Sequence, residues 1–195
     1  MGDPKKQKKK YSGPKHPWNK ERIEQETELA KQYGLRRKNE LWKMNSFLRN
    51  MLVRTKTIIG SSTKQSEIEK LQLLHKAHSL GLIEKNSKIE DVLNINVKNV
   101  LDRRLQTLLV KKSMAKTMEQ ARQFIVHGHI NVGDNKITSP SYLVNVSEES
   151  RMGFYGSSPL SSAEHAERAP KKEAPKKALK EKKEEAKEEK QEVKK

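Results

Sequence analysis

The chain has 195 residues, 42 Lys and Arg against 25 Asp and Glu, a formal net charge of +17, and no cysteine. The absence of cysteine excludes disulfides and thiolate-held zinc or iron–sulfur sites. With 32% hydrophobic and 34% charged residues, the chain is too lean for a large enzyme core, because sparse apolar surface does not offset chain entropy.

Residues 1–15 hold Lys5, Lys6, Lys8, Lys9, Lys10 and Lys15 with Pro4, Gly13 and Pro14. This composition resists regular structure and reads either as a solubilising arm or as one that releases counter-ions from a polyanion. Asn19 is a good cap for a first helix carrying Ile23, Ala30 and Tyr33 and stopped by Gly34. A second helix starts near Arg36 and ends at Gly60, with Leu41, Met44, Leu48, Met51, Leu52 and Ile59 as its apolar stripe. Arg36, Arg37, Lys38, Lys43, Arg49, Arg54 and Lys56 occupy its other faces, with Glu40 the acid among them. An ordinary solvated helix mixes signs to gain i,i+4 pairs, so this excess is read as phosphate-facing.

A third helix is expected from Thr63 to Leu80, with Ile68, Leu71, Leu74 and Leu80 inward and Gly81 as its stop. His75 and His78 lie three apart on it, but no third ligand is nearby, so no metal site is expected. Ser87 and Glu90 make a Ser-x-x-Glu box before a short helix with Val92 and Leu93, and residues 94–99 read as a hinge.

From residue 100 the pattern is two short amphipathic helices feeding a hairpin. Leu101, Leu105, Leu108 and Leu109 form one apolar face, leaving Arg103, Arg104, Lys111 and Lys112 available. Thr117 and Gln120 form a Thr-x-x-Gln box opening the second helix, in which Met118, Ala121 and Ile125 point inward until Gly128. The free N–H groups beside Thr117, with Lys116 before them and Arg122 one turn on, suit a phosphate. Ile130 and Val132 then alternate, Gly133, Asp134 and Asn135 turn the chain, and Ile137 starts a return strand; Tyr142, Val144 and Val146 alternate again after Pro140. His127 and His129 lack a placed carboxylate partner for a metal or acid–base role and, with Gln123, read as hydrogen-bonding groups for RNA.

Charge follows the same division. Residues 1–60 carry 16 basic against 6 acidic side chains, 61–99 carry 6 against 5, and 100–130 carry 6 against 2. The excess sits where a backbone-tracking RNA binder places it. From Pro170 onward 11 Lys alternate with 7 Glu, a composition expected to remain a solvated, disordered tail.

Three runs carry a resemblance: Arg103-Arg104-Leu105, Ala121-Arg122-Gln123-Phe124-Ile125-Val126-His127-Gly128-His129-Ile130, and Pro140-Ser141-Tyr142-Leu143-Val144. Together they resemble the RNA-binding domain named after small-subunit ribosomal protein S-four. The N-terminal half, with His16-Pro17-Trp18, Glu21-Arg22-Ile23, Tyr33-Gly34-Leu35-Arg36 and Lys38-Asn39-Glu40-Leu41-Trp42, is similar to the archaeal and eukaryotic branch of the S-four family itself. The resemblance implies binding to small-subunit ribosomal RNA at a multi-helix junction of the 5′ domain early in assembly. It further implies contact with ribosomal protein S-five, a place near the path by which messenger RNA enters, and an influence on decoding accuracy. Two positions depart from the family pattern: Ser113 replaces a turn glycine, and Gly133-Asp134 replaces an Asn-Gly pair.

The expected fold is α+β, mostly helical at first and then a small αα-hairpin with a β-hairpin. Its parts are a basic arm (1–15), a helical ribosomal RNA-binding region (16–99), an S-four-type RNA-binding domain (100–155) and a Lys/Glu/Ala-rich tail (156–195). The expected RNA-binding set is Arg36, Arg37, Lys38, Lys43, Arg49, Arg54, Arg103, Arg104, Lys111, Lys112, Lys116, Thr117, Arg122, Gln123, His127, His129 and Tyr142. No catalysis, cofactor, metal, membrane span or homo-oligomer is expected, and the location is cytoplasmic, in the small ribosomal subunit. The competing reading is an RNA-modification accessory or a ribosomal RNA chaperone that uses the same hairpin.

Overall fold

The computed structural model describes residues 9–162 together with 165 and 167; Lys5, Lys6 and Lys8 of the basic arm and the tract from Pro170 lie outside the described residues. The helices are α1 (Lys20–Gln32), α2 (Lys38–Ile59), α3 (Lys64–Ser79), α4 (Val97–Asp102), α5 (Leu105–Lys111), α6 (Met118–Val126) and α7 (Val146–Glu149). The strands are β1 (Ile130–Val132), β2 (Asn135–Lys136) and β3 (Met152–Phe154), and 3₁₀ turns span Ile89–Asn94 and Pro159–Ser161. Three helices begin where a side chain takes an orphan N–H: Asn19 accepts from Arg22, Thr63 from Ser66 and Thr117 from Gln120.

The first apolar core joins α2, α3, the 3₁₀ turn at Ile89 and α4, with Leu41, Met44, Leu48, Met51, Ile58, Leu73, Ala77, Val92, Val100 and Leu101 inside. On α2 the expected stripe is buried from Leu41 to Met51, then continues through Thr55 and Ile58, while Ile59 is 49% exposed. A helical period of 3.6 carries the stripe from Met51 to Thr55 to Ile58 and turns Ile59 away; the Thr55 hydroxyl is satisfied by donating to the Met51 carbonyl. On α3 the inward positions are Ser66, Leu73 and Ala77, whereas Ile68 and Leu71, expected inside, are 51% and 69% exposed. Apolar residues on two sides of this helix made the sequence pattern ambiguous, and the fully buried Ala77 selected the side that approaches its neighbours most closely. The start expected at Ser87 moves one residue on, because the Asp91 carboxylate accepts from the Lys88 N–H at 2.8 Å.

The single helix expected after Asn99 is broken into α4 and α5. At Arg103 and Arg104 the backbone leaves the helix to pair with a distant strand-like segment: Leu105 N–H donates to Tyr142 O at 2.8 Å, and Val144 N–H to Arg103 O at 3.1 Å. Long-range backbone pairing overrides the local helical pattern here. The segment expected as an alternating strand through Val146 is thus reduced to one antiparallel bridge, Arg104 with Leu143, and Val146 begins α7 instead.

The sheet has three antiparallel strands in the order β2-β1-β3. The return strand begins at Asn135, two residues earlier than expected, with Val132 opposite Asn135. The third strand was not expected; it pairs Ile130 with Phe154 and Val132 with Met152, too short a run to show its alternation in sequence. Leu105, Leu108, Leu109, Ala121, Phe124, Ile125, Ile130, Val132, Val144 and Leu160 form the second core. Phe124, rather than the half-buried Met118, is the large inward residue of α6, and its ring meets Phe154 edge-on at 6.2 Å. Leu160 carries the packed part past residue 155, where the tail was expected to begin.

Ser113 occupies the left-handed region at φ 56. Ser113 N–H donates to Val110 O and Met114 N–H to Leu109 O, closing α5 with the hydrogen bonds that a glycine usually permits. Ser113→Gly is therefore expected to raise stability by about 0.5–1 kcal/mol, since a side chain in this region costs more than glycine. The midpoint of a urea melt reads the gain, and a lowered midpoint would show that the serine is not strained.

Candidate nucleic-acid interface

The two cores meet around one carboxylate. Glu40, in the first turn of α2, accepts from Arg104 Nη2 at 2.7 Å through Oε2 and from Arg122 Nη2 at 3.0 Å through Oε1. Arg104 is 1% exposed in its side chain, Glu40 13% and Arg122 25%. Burial works to raise the Glu40 carboxyl pKa, but hydrogen bonds and charge from Arg122 and Arg104 carry it below its ordinary value. Arg104 was expected to face phosphate. The structure instead buries it as a partner of Glu40, because the break before α5 points its side chain at α2.

Beside this centre the α1–α2 corner is clasped to α5 and α6. Gln106 Nε2 donates to Gly34 O at 3.3 Å and to Met118 O at 2.8 Å. Tyr33, buried at the end of α1, has its phenol pushed up to about 12 by burial and by the Asp102 carboxylate it bonds. The corner is thereby a fixed wall.

Arg36, Arg37, Lys38, Lys43, Arg49 and Arg54 are all exposed. Lys38 lies 3.9 Å from Glu26, and the other five make no ion pair among the described residues. They do not form one face. Arg36, Arg37 and Lys43 border a hollow with Tyr11 and Arg122, Arg49 faces the segment Ser12–Pro14 and Trp42, and Arg54 faces α3 beside Lys76.

The remaining expected residues are more committed. Arg103 pairs with Glu149 at 2.8 Å and donates to Val144 O; Lys111 pairs with Asp102 at 3.1 Å, and Lys112 donates to the Glu149 carbonyl. Tyr142 donates its hydroxyl to Glu148, and burial together with that carboxylate raises its pKa. The phosphate seat expected at α6 is partly filled: Thr117 takes the Gln120 N–H, the Gln120 side chain takes the Lys116 N–H and donates to Glu167 O. Gln123 and His127 remain exposed, with the His127 ring stacked 6.3 Å from His129, whose Nδ1 lies 2.8 Å from Ser158 Oγ.

Seven residues outside the expected set, among them Ala30, Lys31, Leu35, Glu119 and Val126, line a cleft of about 630 Å³ between the α1–α2 corner and α6 together with Arg36, Arg122, Gln123 and His127. The role of Glu40 was not expected either, although a lone acid within a run of bases is a visible mark of a specific partner. Among the described residues, no three metal-ligating side chains converge, and no helix is long and apolar enough to cross a membrane.

The sequence profile of the S4 domain matches residues 103–150, a span that begins at the break between α4 and α5. A small ribosomal subunit protein uS4 of Methanococcus maripaludis is 46% identical over 170 residues, covering 86% of this chain and 95% of that protein. The chain belongs to the uS4 family. Another uS4 protein, from Hyperthermus butylicus, is 43% identical over 174 residues, covering 89% of this chain and 99% of its own length. The uS4 likeness thus runs through both cores and the Glu40 junction as well as the S4 domain.

Proposed function

We propose that this chain is a structural, RNA-binding component of the small ribosomal subunit, acting by binding and positioning rather than by catalysis. The observation that carries it is the group of exposed Arg36, Arg37 and Lys43, without ion-pair partners among the described residues, beside the S4 domain of a chain whose relatives are named small ribosomal subunit proteins. Unpaired cations that border one hollow suit consecutive phosphates of a folded RNA.

Family membership supports the finer reading: binding at a multi-helix junction of the 5′ domain early in assembly, contact with ribosomal protein S-five, proximity to the messenger's way in, and an effect on decoding accuracy. In that complex Arg36, Arg37, Lys43, Gln123 and His127 meet RNA directly. Arg49, Arg54, Lys38, Lys111, Lys112 and Lys116 add charge around them, Arg103, Arg104, Thr117, His129 and Tyr142 hold the frame, and Arg122 both pairs with Glu40 and borders the RNA-facing hollows. The site of action is then the cytoplasmic ribosome.

The test is a binding titration of the full chain against a transcript of the small-subunit 5′ domain with excess transfer RNA. Affinity is expected to resist the competitor and to fall steeply with salt. Arg36→Ala with Arg37→Ala should weaken binding without unfolding the chain and lower the salt slope by roughly one for each phosphate no longer neutralised. Binding removed equally by transfer RNA would favour a generic RNA chaperone or modification accessory.

A further inference from the structure

We propose that the cleft between the α1–α2 corner and α6 takes a single unstacked nucleotide of the bound RNA, its base against Ala30, Leu35 and Val126 and its phosphate over Arg36 and Arg122. The proposal rests on the RNA-binding reading above and assigns one subsite within it. Two adjoining hollows carry the inference. The first, of about 630 Å³, has apolar groups from Ala30, Leu35 and Val126 beside Gln123 and His127, and lies in the range of small-ligand sites, roughly 300–1,000 Å³. The second is lined by Arg36, Arg37, Lys43 and Arg122 together with Tyr11 and Glu40, whose carboxylate is taken up by Arg104 and Arg122. Arg36 and Arg122 border both.

An apolar slot joined through two arginines to a basic, polar one matches the division within a nucleotide between a flat base and its phosphates. RNA recognition favours bases splayed from a single strand or bulge, whose faces pack on side chains while their edges accept hydrogen bonds. Gln123, which offers both a donor and an acceptor, and His127 are exposed at the rim and supply such edge contacts. The walls are set before RNA arrives: Gln106 holds the corner to α6 through Gly34 O and Met118 O, and Glu40 holds Arg122 in place. A rigid slot lowers the ordering cost of capturing one base. An apolar peptide side chain would use the slot but not the line of cations beyond it, and so fits only half of the site.

The experiment uses the full chain and the 5′-domain transcript, reading affinity by filter binding and each nucleotide by base-reactive and backbone chemical probing. Ala30→Phe fills the slot without changing charge, and Val126→Asp places a carboxylate on its other wall at a position 54% exposed. Each should lower affinity about tenfold and restore the reactivity of one and the same nucleotide that the parent chain protects, and Ala30→Phe, which changes no charge, should leave the salt slope unchanged. Melting temperatures check folding, and the exposed Val126 position keeps the test valid if Ala30→Phe unfolds. Unchanged affinity and protection in a folded variant would overturn the nucleotide subsite while leaving the RNA-binding reading intact. Failure of the parent chain to bind the transcript would overturn both.

Discussion

Glu40→Ala is expected to lower folding stability by about 3–5 kcal/mol, the cost of removing one partner from a buried ion pair and leaving the other charge unpaired. Arg104 is the charge left behind. Its side chain is 1% exposed, and its Nε and Nη1 have no partner among the described residues, so the Glu40 bond is its one side-chain contact of opposite charge. Arg122, a quarter exposed, can turn to water and adds little to the loss. Glu40→Gln should lose less, because an amide oxygen still accepts one bond. Replacing Glu40 and Arg104 together with apolar residues of similar volume should recover much of the stability, since a buried pair is offset by its own desolvation. Urea melts of the parent, the apolar single variants at Glu40 and at Arg104, and the double variant give the double-mutant cycle; a loss below about 1 kcal/mol for Glu40→Ala would show that Arg104 finds water or another partner.

The same carboxylate sets an acid limit. Its pKa in the folded chain is held below its ordinary 4.5 despite burial, so the folded state binds the proton more weakly than the unfolded one. The contribution is fully present above the unfolded value and declines as pH falls through the folded value. In Glu40→Gln this part of the acid loss disappears, leaving a shallower stability profile below the ordinary carboxylate range.

Much of the helical frame was legible because it rests on local physics. Asn19 and Thr117 cap the helices they were expected to cap, Thr63, expected as the start of the third helix, caps it, and Leu41, Met44, Leu48 and Met51 keep a 3.6-residue period over three turns. What escaped the sequence depends on partners distant along the chain. Arg104 interrupts a helix because Tyr142 and Val144 offer backbone bonds 40 or so residues away. It cannot meet phosphate because Glu40, 64 residues earlier, occupies it. Met152 and Phe154 form a strand only because β1 offers a free edge. Charge counts gave no means of separating Arg36, which has no ion-pair partner among the described residues, from Arg104, which is sealed, since both read as solvent-facing cations until the fold assigns their neighbours.

Gly34→Ala should rank next among single substitutions, costing about 2–4 kcal/mol, and should weaken RNA binding as well. Gly34 has φ +59, and a Cβ built there would lie 2.8 Å from Met118 Cβ and 2.9 Å from Gln106 Nε2. The left-handed backbone alone costs roughly 1–2 kcal/mol for a side-chain-bearing residue, and the overlap adds an overpacking cost of about 1–3 kcal/mol. The lower entropy of unfolded alanine returns about 0.4–1 kcal/mol. Met118 Cβ is bonded to the backbone of α6 and cannot swing aside, so relief requires the α1–α2 corner and α6 to separate, widening the cleft and breaking the Gln106 clasp. Gly128→Ala provides the control. Gly128 has φ +73, but the added Cβ would meet only the far end of the Lys136 side chain, which can rotate away, leaving about 1 kcal/mol of backbone strain. Urea melts should therefore order the two with Gly34→Ala lower, and the 5′-domain titration should separate them further. Equal losses would mean that the corner yields as easily as a lysine tip, and that the wall between the two cores is not rigid.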